Sequence, residues 1–274
     1  MSRESVSAIV VSYRTGPRLK ECLYALVGDP DIDEVMLVDN GNPEGMQAWS
    51  DHFAQAREKV EIIRGHGNVG FGAGVNLGLT KVAGPHILVL NPDAVLRRNS
   101  IAGMQDMAAK CTAPWIIGGR IFDLNGREER GPRRTELTLW RAATSLIGWN
   151  TWTLERQPEP EHPVEMPVIS GAFFLTSKDS MATLSGFDEG YFLHVEDVDL
   201  CRRCRDAGGQ VFYDPRSGAL HYGSTSDAPS RDVAQHKADS LARYFRKFAR
   251  GPVEKGMVFL AMPIMRLAMA IARR

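Results

Sequence analysis

Short apolar runs recur along the first half of the chain, and they are continuous rather than alternating. Such runs are typical of strands that are buried on both faces of a sheet. The predicted strands are residues 7–13, 34–41, 60–64, 86–93 and 115–122. The predicted helices between them lie at about residues 16–27, 44–57 and 100–110. This alternation predicts an α/β fold in which helices flank a mostly parallel central sheet.

The pattern is less regular in the second half of the chain. Residues 123–166 combine charged, Trp-containing and Pro-rich segments, so we expect an irregular excursion there that shapes the substrate site. Predicted strands follow at 168–177 and 210–215, and a predicted helix covers about 230–250. We therefore expect one main domain over residues 1–250.

The tail, residues 251–274, contains about fifteen largely apolar residues interrupted by Pro263 and Arg266, with basic residues at each end. This stretch is too short and too broken to span a bilayer. Two interpretations remain open. The tail is either a terminal helix that packs on the domain, or an amphipathic segment that lies on an anionic membrane leaflet.

The strongest candidate chemistry lies in the acidic stretch at 186–208. Glu196 and Asp197 stand at the start of a predicted helix that ends near Gly208. The helix dipole and the free N–H groups of the first turn favour carboxylates at this position. A carboxylate that is held in one place can act as a general base, whereas capping of the helix is the alternative interpretation.

Polar residues also follow the predicted strands of the first half, where a parallel sheet binds its ligands. These residues are Ser12, Tyr13, Asp39, Asn40, Asn91 and Asp93. Asp93 follows Pro92, which restricts the local backbone, and a single carboxylate there can bind a divalent cation together with phosphate oxygens. A turn carboxylate bonded to its own backbone is the alternative. His221 is a candidate for the same metal or for a pyrophosphate, although an isolated histidine is more often structural.

A glycine-rich passage follows the third predicted strand. Residues 65–70 match the G-x-G-x-x-G motif of dinucleotide-binding proteins, and Asp93 follows about twenty residues later. We give this match little weight, because residues 71–74 separate the third glycine from the helix expected near Lys81, and because the strand is the third. The passage does indicate close approach of the backbone to a ligand.

Composition and cysteine usage narrow the class of protein. Lys plus Arg and Asp plus Glu both number 33, so the net charge of zero removes the electrostatic argument for a nucleic-acid binder. The four cysteines are Cys22, Cys111, Cys201 and Cys204. The C-x-x-C pair lies inside a predicted helix without a second pair, so we expect buried or partly buried thiols in a reducing cytosol and no zinc. The first residues do not match a signal peptide, since the apolar run is short and Glu4 precedes it.

Several stretches, taken in order, resemble the family-2 inverting glycosyltransferases of GT-A fold from residue 8 to about 248. The motifs are VVSY, VDNG, GNVGFGAGVNLG, LNPDA, SGAFFLTSK, GFDEGYFLHVEDVDLCRR and LHYGSTS. The sequence looks most like the rhamnosyltransferase branch that uses dTDP-L-rhamnose and a polyprenyl-linked acceptor. The motifs NPDA and YFLHVEDVDL, and His221 followed by Ser-Thr and a helix carrying His236-Lys237, carry that narrower resemblance.

The resemblance implies a Rossmann-like GT-A sheet with a C-terminal helical appendage, and it divides the domain into two halves. Residues 1–121 would bind the nucleotide sugar, and residues 122–250 would supply the acceptor and catalytic groups. In the first half, the resemblance implies that Asp39 reads the pyrimidine base. Other donor-binding positions implied near it are Ser12, Tyr13, Asn40, Asn68 and Gly70.

The resemblance also implies the catalytic roles. Asp93 would stand for the second acid of the family's D-x-D motif and hold Mg²⁺ or Mn²⁺ on the diphosphate, with Asn91 at the first position. His221 would complete that site. Asp197 would be the general base that deprotonates the acceptor hydroxyl, with Glu196 beside it.

The implied function is transfer of a sugar, in the narrower reading L-rhamnose from dTDP-L-rhamnose, to a polyprenyl-diphosphate-linked glycan in cell-wall or surface polysaccharide synthesis. The expected location is cytoplasmic, on the inner face of the membrane. A UDP- or GDP-sugar donor remains open. On the residues alone, a nucleotidyltransferase, an NAD-dependent oxidoreductase and a catalytically silent sugar-binding protein also remain open.

Overall fold

A nine-stranded sheet forms the centre of the structure, a computed structural model that describes residues 3–129, 131–146, 158–223 and 230–271. Its strands are β1 (Val6–Ser12), β2 (Glu34–Asp39), β3 (Val60–Ile63), β4 (His86–Leu90), β5 (Ala94–Leu96), β6 (Trp115–Phe122), β8 (Val164–Glu165), β10 (Phe173–Ser177) and β11 (Gln210–His221). Two further strands, β7 (Arg133–Arg134) and β9 (Val168–Ile169), pair with each other in a small second sheet.

Helices cover both faces of the sheet. They are α1 (Arg18–Gly28), α2 (Glu44–Gln55), α3 (Phe71–Leu79), α4 (Ser100–Ala108), α5 (Leu139–Leu146), α6 (Lys178–Thr183), α7 (Glu196–Asp206), α8 (Ser230–Phe248) and α9 (Gly251–Ile271). Alternate residues of β1 point to two separate hydrophobic clusters, as expected for a strand buried on both faces. One cluster contains side chains of α1, α2 and α4, and the other contains side chains of α3, α6, α7, α8 and α9.

The strand order places the carboxyl ends of several strands at one edge. The order is β3-β2-β1-β4-β10-β6-β11-β5, with β8 also paired to β11. Strands β1, β2, β3, β4, β6 and β11 run in one direction, and β5, β8 and β10 run in the other. The sheet is therefore mostly parallel, as predicted. Because β1, β2, β4 and β11 end at the same edge, the polar residues that follow them lie there together.

The start of α3 corrects the prediction for the glycine-rich passage. The helix begins at Phe71, directly after Gly70, and not near Lys81. Its glycines allow the helix to lie against β1, since a Cβ at Gly74 would come within 2.7 Å of Val11, and one at Gly78 within 2.7 Å of Ile9. The expected separation between the third glycine and the helix is therefore wrong.

The second half also differs from the prediction. β11 runs from Gln210 to His221, well beyond the strand predicted at 210–215, and α6 was not predicted. Residues 123–166 are not irregular throughout, since they contain β7, α5 and β8, although residues 130 and 147–157 lie outside the described part. The strand predicted at 168–177 is divided into β9 and β10. In the interruption at 170–172, Gly171 is buried, and its backbone N–H binds a side chain and not a neighbouring strand.

The C-terminal helix α9 packs with one face against α8 and α5. Val258 and Met262 are buried there, whereas other apolar side chains of the same helix are exposed. No helix is long and apolar enough to cross a membrane within the described residues. All four cysteines are free; three are buried and Cys111 is half-buried, as expected.

Candidate active site

The ends of β1 and β2 place Ser12 beside Asp39, because these two residues are partners in the parallel register. One oxygen of Asp39, Oδ1, accepts hydrogen bonds from the backbone N–H of Gly41 at 3.0 Å and from both nitrogens of Asn42, at 2.8 and 2.9 Å. The other oxygen, Oδ2, is buried without a hydrogen-bond partner among the described residues and lies 3.7 Å from Nε of Arg64. The carboxylate is thus fixed through Oδ1, while Oδ2 faces the guanidinium of Arg64.

Asn40 holds the glycine-rich loop against this edge. Its Nδ2 donates to the carbonyl oxygen of Gly70 at 3.0 Å and to Oδ1 of Asn68 at 3.3 Å, and its Oδ1 lies 2.9 Å from Nε2 of His66. The side chain of Asn40 is therefore engaged within the protein, and Asn68 is exposed at the mouth of the loop. Tyr13 is half-buried just beyond Ser12.

Gly70 joins the loop to the acidic stretch. Its φ of 87° lies in the left-handed region, and a Cβ there would come within 2.3 Å of the carbonyl oxygen of Phe192. The next residue, Phe71, donates its backbone N–H to that same oxygen at 3.1 Å. Only glycine allows this approach. The loop and the segment before α7 are consequently held in contact.

His221 lies between two carboxylates at the end of β11. Its Nε2 is 3.1 Å from Oδ1 of Asp93 and 3.3 Å from Nδ2 of Asn91, while its Nδ1 is 3.0 Å from Oε2 of Glu129. Burial lowers the pKa of the imidazole, but Asp93 and Glu129 together outweigh it and raise the pKa above its ordinary value. The predicted neighbours Asn91, Asp93 and His221 therefore meet, and Glu129 joins them without having been predicted.

This cluster supplies two converging donor atoms for a divalent cation. Mg²⁺ commonly takes only one or two protein carboxylates and completes its coordination with phosphate oxygens and water. Oδ1 of Asp93 and Nε2 of His221 fit that requirement by their chemistry and their separation of 3.1 Å. No group of three or more acidic, His or Cys side chains arranged to hold a metal is found in the described part of the chain. A cation here would depend on ligands from the substrate.

Asp197 is held at the N-terminus of α7 by groups from three segments. Its Oδ2 accepts the backbone N–H of Gly171 at 3.0 Å and a hydrogen bond from Nη2 of Arg134, and its Oδ1 accepts the N–H of Val198 at 2.8 Å. Arg134 also donates to the carbonyl oxygen of Ile169 at 3.2 Å. The interruption between β9 and β10 therefore provides one of the groups that orient the carboxylate. Neither Arg134 nor Gly171 was predicted.

Glu196, beside Asp197, has a different environment. Only 7% of the residue is exposed, and its Oε2 has no hydrogen-bond partner within the described residues. Burial, reinforced by the neighbouring Asp197, raises the pKa of this carboxyl group well above its ordinary value. The environment of Glu196 therefore favours its neutral, protonated form.

Asp199, the third acid of the stretch, is structural. It is fully buried and pairs with Nε of Arg203 at 2.5 Å and with Nζ of Lys247 at 2.6 Å, and it accepts the hydroxyl of Tyr191 at 3.2 Å. These contacts tie α7 to α8. The role of Asp199 is therefore structural, but it consists of ion pairs with Arg203 of α7 and Lys247 of α8 and not of the helix capping considered for the acidic stretch.

The residues around Asp93 and those around Asp197 are connected through residues 170–172. The backbone N–H of Asn91 donates to the carbonyl oxygen of Ala172 at 2.8 Å, and the N–H of Gly171 binds Asp197. A single short segment therefore contacts both the region of Asp93 and the candidate base.

Comparison with solved structures assigns this fold to the GT-A glycosyltransferases. The mannosyltransferase PcManGT from Pyrobaculum calidifontis, solved with GDP-Man and Mn²⁺, superposes with a TM-score of 0.62 at 16% sequence identity. The match covers 100% of this chain and 76% of that one. The sequence model of glycosyl transferase family 2 matches residues 7–184. The chain belongs to this family and is a glycosyltransferase.

Two curated relatives of this chain are named as rhamnosyltransferases. The N-acetylglucosaminyl-diphospho-decaprenol L-rhamnosyltransferase of Mycobacterium tuberculosis is 29% identical over 248 residues, covering 84% of this chain and 79% of the relative. The rhamnosyltransferase WbbL of Escherichia coli is 24% identical over 225 residues, covering 79% and 83%. The resemblance to family 2 is confirmed, and it decides against the oxidoreductase, nucleotidyltransferase and silent sugar-binding alternatives.

Proposed function

We propose that this protein is an inverting rhamnosyltransferase that transfers L-rhamnose from dTDP-L-rhamnose to a hydroxyl of a polyprenyl-diphosphate-linked glycan, in cell-wall or surface polysaccharide synthesis. The anchored carboxylate of Asp197, connected through residues 170–172 to the Asp93 and His221 pair, is the observation that carries the proposal. The M. tuberculosis relative, which is named for transfer of L-rhamnose to a polyprenyl-linked sugar, supports the choice of donor and acceptor.

In the proposed donor site, Oδ2 of Asp39 accepts the N3–H of the pyrimidine base. This oxygen is suited to the role because Oδ1 is already occupied by Gly41 and Asn42. Ser12, Tyr13, Asn68 and Gly70 line the nucleotide cleft, and Asn40 holds the loop that carries Asn68 and Gly70. Thymine and uracil both carry an N3–H, so Asp39 by itself does not separate a dTDP-sugar from a UDP-sugar.

Asp93 and His221 would hold Mg²⁺ or Mn²⁺ on the donor diphosphate, and Asn91 lies beside them. A bound cation supplies positive charge that stabilises the departing diphosphate. One carboxylate and one imidazole leave several positions for phosphate oxygens, which suits a cation that arrives with the nucleotide sugar. Asn91 replaces a charged ligand by a neutral amide, which lowers the affinity for a free cation.

Asp197 serves as the general base. It takes the proton of the acceptor hydroxyl while the acceptor oxygen forms a bond to the anomeric carbon and the bond from that carbon to the diphosphate breaks. Attack from the side opposite the leaving group inverts the anomeric configuration. Arg134 and Gly171 fix the carboxylate in position, and Glu196, held towards its neutral form, adds little charge beside it.

We also propose that the protein binds the inner face of the cytoplasmic membrane through α5 and α9. The exposed apolar side chains there are Trp140, Val253, Met257, Phe259 and Leu260. A cavity of about 480 Å³ opens between these helices and α8, lined in part by Leu137, Phe248 and Val258. Residues 251–274 would then supply one face that packs on the domain and another that faces the membrane. The catalytic domain would span residues 1–250, with a donor-binding half at 1–121 and an acceptor half at 122–250.

The membrane proposal is tested by flotation with vesicles of phosphatidylcholine alone or mixed with phosphatidylglycerol. Wild-type protein should float with the anionic vesicles, and the double variant Phe259→Ser, Leu260→Ser should not. Leu124→Ser, which removes an exposed apolar side chain far along the chain, serves as the control. Equal flotation of the double variant and the wild type would remove the surface of α9 from the proposal.

The donor is tested by thermal shift with dTDP, UDP, GDP and NAD, each with and without Mn²⁺. A ligand that binds only the folded state raises its stability by mass action. Metal-dependent stabilisation by dTDP that is lost in Asp93→Ala supports the proposed donor. A preference for UDP or GDP would retain the transferase and overturn the sugar.

A further inference from the structure

The feature that the proposed function leaves unexplained is the contact of Glu129 with the far side of His221. Both carboxylate oxygens of Glu129 face Nδ1 of the imidazole, at 3.0 and 3.2 Å. The other ring nitrogen, Nε2, faces Oδ1 of Asp93 at 3.1 Å. Both ring nitrogens of His221 therefore contact a carboxylate, and Glu129 lies on the opposite side of the ring from Asp93.

Glu129 is held in position by the hydrogen bonds and the ion pair of the segment that carries it. Its backbone N–H donates to the carbonyl oxygen of Ile121 at 2.8 Å. The preceding residue, Glu128, forms a pair with Arg133 at 2.7 Å and accepts the hydroxyl of Tyr213 at 2.7 Å. Tyr213 and His221 belong to the same strand, β11. The hairpin that carries Glu129 is thus attached to the strand that carries the histidine.

A carboxylate in this place determines which nitrogen of the ring is available. Both ring nitrogens face a carboxylate, so a cation at Oδ1 of Asp93 would take the lone pair of Nε2 while Nδ1–H donates to Glu129. Histidines that bind metals commonly donate their second ring N–H to a carboxylate, which orients the ring and increases its basicity as a ligand.

We propose that Glu129 is a positioning residue that holds His221 with Nε2 directed, together with Oδ1 of Asp93, at a divalent cation. This inference rests on the cation site of the proposed function. It assigns a role to a residue of the 123–166 segment that touches neither the cation nor the sugar.

The experiment measures binding of Mn²⁺ in the presence of dTDP, as the gain in dTDP affinity between EDTA and Mn²⁺ buffers in isothermal titration, because the site depends on phosphate ligands. His221→Ala should lose the site. Glu129→Ala should bind Mn²⁺ about 10- to 100-fold more weakly than the wild type. Glu129→Gln keeps an oxygen that can accept Nδ1–H, so its affinity should stay closer to that of the wild type than the affinity of Glu129→Ala does. Glu165→Ala, which removes an exposed carboxylate on β8, is the matched control and should not differ from the wild type.

Glu129→Asp separates position from charge, and it keeps the experiment decisive if the alanine variant folds poorly. It retains the negative charge but shortens the side chain by one methylene, so it should bind Mn²⁺ more weakly than Glu129→Gln. The opposite order would show that charge alone matters and would overturn the positioning role. Wild-type affinity in Glu129→Ala, with binding lost in His221→Ala, would also overturn it.

The failure of the inference is distinguishable from the failure of the proposed function. If the wild type and His221→Ala bind Mn²⁺ equally, the cation site fails and the inference fails with it. Rhamnosyl transfer from dTDP-L-rhamnose in the presence of EDTA then decides whether the transferase proposal stands without a metal. If only the Glu129 variants behave as wild type, the cation site and the proposed function are retained.

Discussion

The two sides of the proposed active site are built in different ways. The donor side, defined by Ser12, Asp39, Asp93 and His221, stands on the carboxyl ends of strands that run in the same direction, with Asp93 just beyond β4. The acceptor side is centred on Asp197 and depends on contacts between distant segments. Sheet geometry brings the donor residues together, whereas the acceptor residues meet only because β9 and β10 are separated and Arg134 reaches across. The acceptor side should therefore be the more sensitive of the two to small changes.

The largest expected effect is that of Asp197→Asn. Loss of the base should reduce kcat about 10²–10⁴-fold, with affinity for dTDP unchanged. Turnover and dTDP binding, measured on the same preparation, check this. Asp206→Asn, at the other end of α7, is the control. A parallel loss of dTDP affinity would mean that the two sides are not separable.

Arg134→Ala should come next, because it removes one of the groups that orient Asp197. A displaced base lowers kcat by about 10- to 100-fold, while KM for the donor stays the same. Steady-state kinetics with varied donor separate the two parameters. Arg205→Ala, which removes an arginine of α7 that pairs with Glu136, is a suitable control. An effect confined to KM for the donor would contradict the assignment.

Asp93→Asn probes the donor side. It keeps the shape of the side chain but removes the charge that faces His221 and the proposed cation. Affinity for dTDP in Mn²⁺ should fall by at least about tenfold, and the difference between Mn²⁺ and EDTA should disappear. Isothermal titration in the two buffers tests this. If the affinity for dTDP still depends on Mn²⁺ as in the wild type, Asp93 does not hold the metal.

Gly70→Ala tests the contact that joins the two sides. The new Cβ would meet the carbonyl oxygen of Phe192 at 2.3 Å, in addition to the strain of a positive φ. We expect a loss of more than about 2 kcal/mol in the free energy of unfolding. Gly67→Ala has a similar φ of 71° with open space around it, so it should lose only about 1 kcal/mol. Equal losses in urea unfolding would show that the approach to Phe192 is not close.

The smallest effect concerns Glu196 and pH. Because its pKa is raised in the folded state, the unfolded chain releases this proton first as the pH rises above the ordinary value of 4.5. The contribution of Glu196 to stability is therefore complete below that pH and is lost as the pH increases. Glu196→Gln should make stability decline less between pH 5 and about pH 8 than it does in the wild type. Urea midpoints across that range measure this, with Glu61→Gln, on the exposed side of β3, as the control. Identical slopes would contradict the burial of a protonated carboxyl group.

Much of this arrangement was determined locally by the sequence. The apolar runs of β1, β2, β4 and β6, and the helix that begins at Glu196, were predicted close to their observed bounds. Burial on both faces imposes continuous apolar runs, and polar residues follow where a strand leaves the sheet. The placement of Asp39 and Asp93 at one edge follows from that rule together with parallel direction, whereas His221 reaches this edge because β11 continues beyond the strand predicted at 210–215.

Only the tertiary structure decided the rest. Glu129 is 92 residues from His221, and Arg134 is 63 residues from Asp197, so no local pattern connects them. The start of α3 at Phe71 depends on glycines that pack against β1, and a sequence pattern does not distinguish packing glycines from loop glycines. Residues with similar patterns, Asp197 and Asp199, have different roles because one faces Gly171 and Arg134 and the other is enclosed by Arg203 and Lys247. Local preferences determine which segments become strands and helices, whereas the partners of a charged side chain are set by which segments the folded core brings within a few ångströms of it.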